Sequence, residues 1–293
     1  MRVRLKIQKH IRKKRLNRSL AGDILLFAVV GLLALFMLIP MVFSVVNAFK
    51  PLNEIFLFPP RLTVKNPTMN NFRELFALLQ TSWVPFSRYL LNSLFITSTG
   101  IVFNIIFASM CAYPLAKIKV PFSRTLFSII LLTLMFSKEI TVLPNYILMS
   151  KIGIIDTYAA VIFPAIASSI GLFLMKQFIE ANVPTTILEA AKIDGSGEFR
   201  IFWRIVMPMV KPAWLTMIIF NVQALWGETG GLYLYKEQYK PLPYALSQIL
   251  LGGIARTGPA AAATVFLMLV PVVTFLLTQS NIIETMSTSG IKE

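Results

Sequence analysis

The residue types that most often carry out chemistry in proteins are nearly missing from this chain. Its 293 residues include one cysteine and one histidine. Cys111 lies in an apolar stretch, so one chain can form neither an internal disulfide nor a thiol-rich metal site. His10 lies among lysines and arginines, far from any candidate catalytic group. A glycine-rich phosphate loop is missing as well. The sequence therefore predicts a protein that is not an enzyme and does not hydrolyse ATP itself.

Charged residues are also scarce. They make up 14% of the chain, against about 25% in soluble domains. Hydrophobic residues make up 56%, and the mean hydropathy is +0.71. This balance indicates that a bilayer is the solvent. We predict an all-α membrane protein with one domain over residues 24–283, preceded by a basic tail, residues 1–23, and followed by a short tail, residues 284–293.

Apolar runs of about 20 residues, the length that crosses the hydrocarbon core, predict the spans. Four are long and uninterrupted: Ile24–Ala48, the stretch between Arg88 and Lys117, the stretch between Asp156 and Lys176, and the stretch between Arg256 and Glu284. Two others are shorter. The third span begins near Phe122 and is expected to end at Lys138 and Glu139, with the following residues folded back at the interface. The fifth runs from Pro212 to Glu228. The sequence thus predicts six transmembrane helices.

The net charge of +15 could suggest binding to nucleic acid, but the distribution of charge favours a membrane protein. Nine of the 28 basic residues precede the first apolar run, which is typical of an N-terminus that stays in the cytoplasm. With that orientation, the inner segments hold 18 of the 28 lysines and arginines. We therefore predict that both termini are cytoplasmic, that the chain contacts lipid, and that it binds no nucleic acid.

The inner segment between the fourth and fifth spans, about residues 180–210, is far longer than two neighbouring helices need. Its sequence predicts a helix, a turn at Gly195 and a second helix that ends before Pro208. Thr186 and Glu189 have capping-box spacing, so Glu189 could serve only to cap its own helix. Gly195 could likewise be an ordinary helix stop. The second helix is expected to present an apolar surface to the cytoplasm, formed by Phe199, Ile201, Phe202, Trp203 and Ile205.

A group of residues in this segment occurs in a characteristic order: Glu189-Ala190-Ala191, Asp194-Gly195, Ile205, Pro208 and Pro212. They resemble the EAA loop of binding-protein-dependent ABC permeases. The resemblance covers essentially the whole chain, and in particular the shorter, six-span partner of maltose-type sugar importers. It is also carried by three short segments and by the C-terminus: Asn47-Ala-Phe-Lys50, Phe58-Pro59-Pro60, Leu91-Asn92-Ser93 and Ser289-Gly290-Ile291-Lys292.

The resemblance implies the fold of a type I ABC importer permease in a bacterial cell membrane. It implies a second, related permease as a heterodimer partner, two cytoplasmic ATPase subunits and an extracellular solute-binding protein. ATP and Mg would be bound by the ATPase, so no cofactor is expected in this chain. The EAA loop would seat as a coupling helix in a groove of the ATPase. The tail with Ser289, Gly290 and Lys292 would reach the interface between the two ATPase subunits. The transported substrate would be a carbohydrate, specifically an oligosaccharide.

The residue types of the loop suit a coupling role on physical grounds as well. Ala190 and Ala191 permit close approach of two backbones, a carboxylate at Glu189 can pair with a basic group, and Gly195 can set the angle between two helices.

Polar residues in the fifth span are candidates for lining the substrate path. Asn221 and Gln223 carry amides that tend to face protein or water inside a membrane. Trp226 follows them and could stack on a sugar ring, but an aromatic residue at the membrane interface can equally belong to the aromatic belt.

Two other classes of membrane protein remain as alternatives. An ion-driven secondary transporter needs an acidic or histidine relay near the midplane, and spans one, two, four and six have no ionisable side chain in their interiors. A membrane-embedded enzyme needs a nucleophile with its base or a metal cluster, and no such group of residues is evident.

Overall fold

The computed structural model describes residues 20–81, 83–118 and 120–289, and within these ranges the regular structure is helical. The helices are α1 (Leu20–Ala48), α2 (Leu52–Ile55), α3 (Asn70–Gln80), α4 (Phe86–Lys117), α5 (Ser123–Thr133), α6 (Lys138–Ile152), α7 (Tyr158–Ile166), α8 (Ser169–Asn182), α9 (Thr185–Ile193), α10 (Glu198–Ile201), α11 (Met207–Met209), α12 (Lys211–Trp226), α13 (Leu242–Leu250) and α14 (Thr257–Ser289). The basic residues before Leu20 lie outside the described residues, as do Gly290 and Lys292.

The long apolar runs form the long helices. Four helical stretches are long and apolar enough to cross a membrane: Ala21–Ala48, Phe86–Lys117, Tyr158–Asn182 and Ile254–Gln279. A fifth candidate is a bent pair of helices that includes α12. The predicted third span corresponds to α5, which has 11 residues. Such a helix is about 16 Å long, about half of the hydrocarbon core. The count of six spans therefore stays a prediction.

Helix α4 lies at the centre of the bundle, where it packs against α7, α8 and α12. One face of α4 combines small and polar buried residues, which lets neighbouring helices approach closely. These residues are Asn92, Ser93, Thr97, Gly100, Asn104, Ala108, Ser109 and Ala112. In contrast, α1 is apolar on all sides and exposed over residues 24–42, and it packs mainly against α14. This is the composition of a helix that faces lipid or another membrane subunit.

The fourth span is broken in the middle. Helix α7 ends at Ile166 and α8 begins at Ser169. The hydroxyl of Ser168 accepts a hydrogen bond from the backbone N–H of Gly171 at 3.2 Å, so it caps α8. Pro164, which lies inside α7, lacks the N–H that would continue the helical hydrogen bonds there.

The first turns of α4 hold the outer loop between α12 and α13. The Asn92 amide donates to the carbonyls of Gln238 and Lys240 at 2.8 and 2.9 Å. The Ser93 hydroxyl accepts from the N–H of Leu242 at 2.7 Å. The Leu91-Asn92-Ser93 segment therefore fastens this loop to the bundle.

The predicted outer cap, residues 50–88, packs on the bundle through α3. Asn71 is buried and donates to the carbonyls of Ala48 and Lys50 at 2.9 and 2.8 Å. The rings of Phe72 and Phe76 both contact Phe266 of α14, with centroids 6.2 and 5.7 Å apart. The cap is thus joined to α1 by hydrogen bonds and to α14 by aromatic packing.

A second outer contact depends on one carboxylate. Asp156, which has a φ of 63°, accepts hydrogen bonds from the N–H groups of Tyr235 and Lys236, both at 2.9 Å. The ammonium of Lys236 lies 3.3 Å from the same carboxylate. Burial of the carboxylate opposes its ionisation, but these donors outweigh burial and lower the pKa of Asp156 below its ordinary value.

Because the pKa of Asp156 is lowered in the folded chain, its contribution to stability is complete above the ordinary aspartate pKa of about 3.9 and is lost as pH falls through the lowered value. We expect Asp156→Asn to lower the free energy of unfolding by about 1.5 kcal/mol at neutral pH. The thermal midpoint of the purified protein, measured across an acid pH series, tests this. A difference between the two proteins that stays constant down to the lowest pH would contradict it.

Candidate functional site

The inner loop folds as two helical segments joined by a turn, as predicted. The first is α9, and the second runs from α10 through a π-helical turn, Phe202–Val206, into α11. The helical segment Glu198–Met209 meets α12 at an angle of 76°. The second segment therefore lies across the direction of the fifth span. We call the segment Thr185–Met209 the inner loop from here on.

Gly195 ends α9 in a Schellman motif. Its φ is +77°, in the left-handed region that favours glycine. The N–H of Ser196 donates to the carbonyl of Ala191 at 2.9 Å, and the N–H of Gly195 donates to the carbonyl of Lys192 at 3.0 Å. This is the pair of bonds that defines the motif. The predicted turn is confirmed. Gly195 forms it as an ordinary helix stop, which was one of the interpretations that the sequence allowed.

Two details of the predicted loop are wrong. The residue that caps α9 is Pro184, with no side-chain cap hydrogen bond, so Thr186 and Glu189 do not form a capping box. The second segment does not end before Pro208, because α11 includes it. Pro208 lies in the first turn of α11, where a missing N–H costs little, directly after the wide π turn.

The inner loop has a buried face that attaches it to the bundle. Leu188 and Ala191 of α9, with Ile201, Phe202 and Val206 of the second segment, belong to one buried apolar cluster. The same cluster contains residues within α4, α8 and α12 or directly at their ends, including Ala112, Tyr113, Ile179, Val183, Val210 and Ala213. The loop is therefore packed against the inner ends of three membrane helices.

The opposite face of the inner loop is exposed. Ile193, Phe199 and Trp203 are 87%, 69% and 38% exposed, although they are large and apolar. The rings of Phe199 and Trp203 contact each other with centroids 6.2 Å apart. The charged residues next to them in the sequence are exposed as well, namely Glu189, Asp194, Arg200 and Arg204. We call this the exposed face of the inner loop. An apolar patch with a charged rim is typical of a surface that binds another protein.

The predicted coupling residues are divided between the two faces. Glu189, Ala190, Asp194, Gly195 and Pro208 are exposed, Ala191 is buried, and Ile205 is half-buried. Ala190 therefore presents a small side chain at the surface, whereas Ala191 provides close packing within the chain.

A network of two amides occupies the centre of the bundle. Asn104 of α4, which is completely buried, donates to the carbonyls of Ala165 and Ile166 at 2.9 and 3.1 Å. These carbonyls lie at the break of the fourth span. The Asn104 side-chain oxygen accepts from the amide of Asn221 on α12 at 2.8 Å. Asn104 therefore joins the second, fourth and fifth spans.

A cavity of about 70 Å³ lies beside this network, lined by both asparagines, Ser168, Gly171 and apolar side chains. It has room for about two water molecules. A methyl group at Gly171 would come within 3.1 Å of the Asn104 side-chain oxygen and 2.9 Å of the Met217 terminal carbon. Gly171 is therefore needed for the close approach of α8 to α4.

The other predicted path residues lie elsewhere. Gln223 is exposed on the surface of α12. Trp226 is 3% exposed, and its indole N–H donates to the carbonyl of Leu267 on α14 at 3.0 Å. Asn104 was not among the residues predicted from the sequence, although an amide within an uncharged apolar helix was a usable signal.

Among the residues that the structure describes, no group of three or more histidine, cysteine, aspartate or glutamate side chains could hold a metal ion.

The chain is similar to known membrane components of transport systems. The profile of a family described as binding-protein-dependent transport system inner membrane component matches residues 11–284. The arabinooligosaccharides transport system permease protein AraQ of Halalkalibacterium halodurans is 28% identical over 274 residues, which cover 91% of this chain and 94% of AraQ.

Two solved structures share the fold. One is a bacterial ABC transporter involved in the import of the acidic polysaccharide alginate, with a TM-score of 0.74 and 19% identity, covering 94% of this chain and 99% of that chain. The other is a bacterial alginate ABC transporter in complex with an alginate pentasaccharide-bound periplasmic protein. It has a TM-score of 0.60 and 18% identity, covering 88% of this chain and 93% of that chain.

Substitutions of Gly195 test the origin of the turn. No atom lies within 4 Å of a methyl group built at Gly195, so within this chain the penalty of a side chain comes from the backbone alone. We expect Gly195→Val to destabilise the fold by about 1–2 kcal/mol. Gly195→Asn should cost much less, because asparagine tolerates the left-handed region. Equal thermal midpoints for the two variants would contradict this explanation.

Substitution of Asn104 tests the network at the break. Asn104→Leu has a similar volume but leaves one N–H of the Asn221 amide and two carbonyls without their Asn104 partner, which we expect to cost about 3 kcal/mol. Hydrogen exchange should increase at residues 167–171. Phe103→Leu, at an exposed neighbouring position of α4, is the matched control. Unchanged exchange at the break in Asn104→Leu would show that the amide does not hold it.

Proposed function

The chain belongs to the family of binding-protein-dependent transport system inner membrane components, and from this premise we propose that it is a permease subunit of an ATP-driven importer. In this proposal it forms, together with a second permease, the path for a carbohydrate delivered by an extracellular binding protein. ATP is bound and hydrolysed by separate cytoplasmic subunits.

The observation that carries the proposal is the exposed face of the inner loop. This face presents three large apolar side chains and a charged rim on a loop that is packed firmly into the membrane helices. A soluble subunit that covers Ile193, Phe199 and Trp203 would remove apolar surface from water, and the rim charges would set its orientation. Glu189 is exposed and takes no part in capping, so its carboxylate can pair with a basic group of that subunit.

The nature of the substrate is inferred from relatives. AraQ is named for arabinooligosaccharides, and the two structures with this fold belong to transporters of alginate, which is also a carbohydrate. These names support an oligosaccharide as the substrate here. One of the two structures also includes a periplasmic protein that carries the sugar, which supports delivery by a binding protein at the outer surface.

A second permease would have a suitable surface to cover. An open apolar groove of about 620 Å³ lies between α4 and α7 and is lined by Phe95, Phe103, Phe107, Ile162, Phe163 and Ile166, among others. Helix α1 is also uncovered. Both surfaces are compatible with lipid, but a partner that forms half of the path would have to contact α4 and α7, since these helices flank the polar centre of the bundle.

The transport cycle follows from rigid-body motion in this proposal. Closure of the two ATPase subunits draws the inner loops of the two permeases together, and the membrane helices rock as units to open the path outward. Hydrolysis of ATP returns the membrane helices to their starting arrangement. Both termini lie in the cytoplasm, and the tail with Ser289, Gly290 and Lys292 contacts the ATPase subunits.

Charge reversal on the exposed face tests the docking of the ATPase. We expect Glu189→Lys to reduce the amount of ATPase subunit that co-purifies with the tagged chain by about tenfold, because a favourable pair becomes a repulsive one. Glu74→Lys reverses an exposed charge on α3, in the outer cap, and is the matched control. Both variants should be present in the membrane at wild-type amounts.

The same purification tests whether the chain is a subunit of an ATP-driven importer. Recovery of a second permease and an ATP-binding subunit with the wild-type chain is the expected result. A chain purified alone that transports sugar into ATP-free vesicles under an ion gradient would contradict the proposal and favour a secondary transporter.

A further inference from the structure

One carboxylate connects the inner loop to the membrane helix at the centre of the bundle. Glu198 begins α10, directly after Gly197. One of its oxygens accepts a hydrogen bond from the Tyr113 hydroxyl of α4 at 2.7 Å. The other lies 2.5 Å from the Lys192 ammonium of α9. Glu198, which belongs to the second helical segment of the inner loop, therefore contacts both α9 and the last turns of α4.

The two contacts of Glu198 differ in strength. Lys192 and Glu198 are about half exposed, with side-chain exposures of 50% and 46%, and an ion pair in water at such a site contributes little to stability. Tyr113 is 4% exposed. Its hydroxyl donates to an ionised group, which makes a strong hydrogen bond. The contact with Tyr113 is therefore the one that holds the loop to α4, and Lys192 orients the carboxylate.

Tyr113 is held rigidly where it meets this carboxylate. Its ring packs against Phe202 of the second segment, with centroids 5.9 Å apart, inside the buried cluster beneath the inner loop. A displacement of the loop would therefore reach α4 through apolar packing, which includes this ring contact, and through one directional hydrogen bond. The hydrogen bond is the contact that can be removed without a cavity, since Tyr113→Phe keeps the ring.

Helix α4, which carries Tyr113, also holds two other parts of the bundle in place. Asn104 of α4 supports the break of the fourth span, and Asn92 of α4 fastens the outer loop. A shift of α4 would therefore act on both. No other described side-chain hydrogen bond or ion pair links the second helical segment of the inner loop to α4.

We infer that Glu198 is a positioning residue that transmits movement of the inner loop to α4 through the Tyr113 hydroxyl. The inference rests on the proposed function, since it takes the inner loop to be the part that the ATPase moves. It adds a specific route from that loop to the polar centre of the bundle. Removing the route leaves the ATPase bound but reduces the response of α4 to ATP.

Cys111 offers a reporter on the receiving helix. It is the one cysteine of the chain, it is exposed, and it lies two residues before Tyr113 on α4. A spin label on Cys111 in the purified complex reports movement of the inner end of α4 when ATP and vanadate are added. The same complex with Cys111→Ser gives the background from cysteines of the other subunits.

Four variants separate transmission from simple loss of structure. Tyr113→Phe and Glu198→Ala remove the hydrogen bond from either side, whereas Glu198→Gln keeps an oxygen that can accept it. Tyr146→Phe removes a hydroxyl hydrogen bond of 2.9 Å, to Tyr235 beyond the outer end of the bundle, and serves as the control. The amount of co-purified ATPase is measured for every variant.

We expect the spectral change on addition of ATP and vanadate to fall at least about twofold in Tyr113→Phe and in Glu198→Ala, with unchanged ATPase content. The double variant that combines Tyr113→Phe with Glu198→Ala should show the same reduction of the spectral change as either single variant, because both substitutions remove the same contact. Glu198→Gln and Tyr146→Phe should retain most of the change.

A full spectral change in Tyr113→Phe and Glu198→Ala would overturn the inference while leaving the proposed function intact. Absence of any ATPase subunit from the wild-type preparation would instead overturn the proposed function. A loss in Tyr146→Phe equal to that in Tyr113→Phe would also reject the inference, since the effect would then follow from lost stability in general.

Discussion

Inside a bilayer every backbone N–H and C=O needs a partner within the protein, and this constraint governs the centre of the molecule. The fourth span is interrupted between Ile166 and Ser169, which frees carbonyl groups inside the bundle. The Asn104 amide satisfies two of these carbonyls with its two hydrogens. The same side chain contacts Asn221, and Gly171 leaves room for it beside α8.

The inner loop obeys the opposite constraint, because it must expose apolar surface in water. It can do so since its other face is anchored by Leu188, Ile201 and Phe202 in the buried cluster. The anchored face fixes the loop to three membrane helices, and the exposed face is the surface that we propose a cytoplasmic subunit covers. The Glu198 carboxylate adds a directional contact to that packing, and the proposed transmission of movement depends on both.

The sequence predicted some of these features well, because their causes are local. The runs of uncharged apolar residues in α1, α4 and α14 are longer than a bilayer is thick, so their helical form follows from composition. Gly195 marked a turn because few residues adopt a positive φ. The predicted end before Pro208 was wrong, because a π turn placed the proline where its missing N–H does no harm. The short α5 shows the same limit, since the number of spans cannot be read from apolar residues alone.

The sequence by itself determined that the chain is helical, that it belongs in a membrane, and that an elaborate loop lies between the fourth and fifth spans. Periodicity, charge and glycine act over a few residues, so they can be read along the chain. The tertiary structure alone decided which side chains meet. Asn104 and Asn221 are 117 residues apart, and Tyr113 and Glu198 are 85 apart. Such pairs depend on how the helices pack, and no local pattern encodes that.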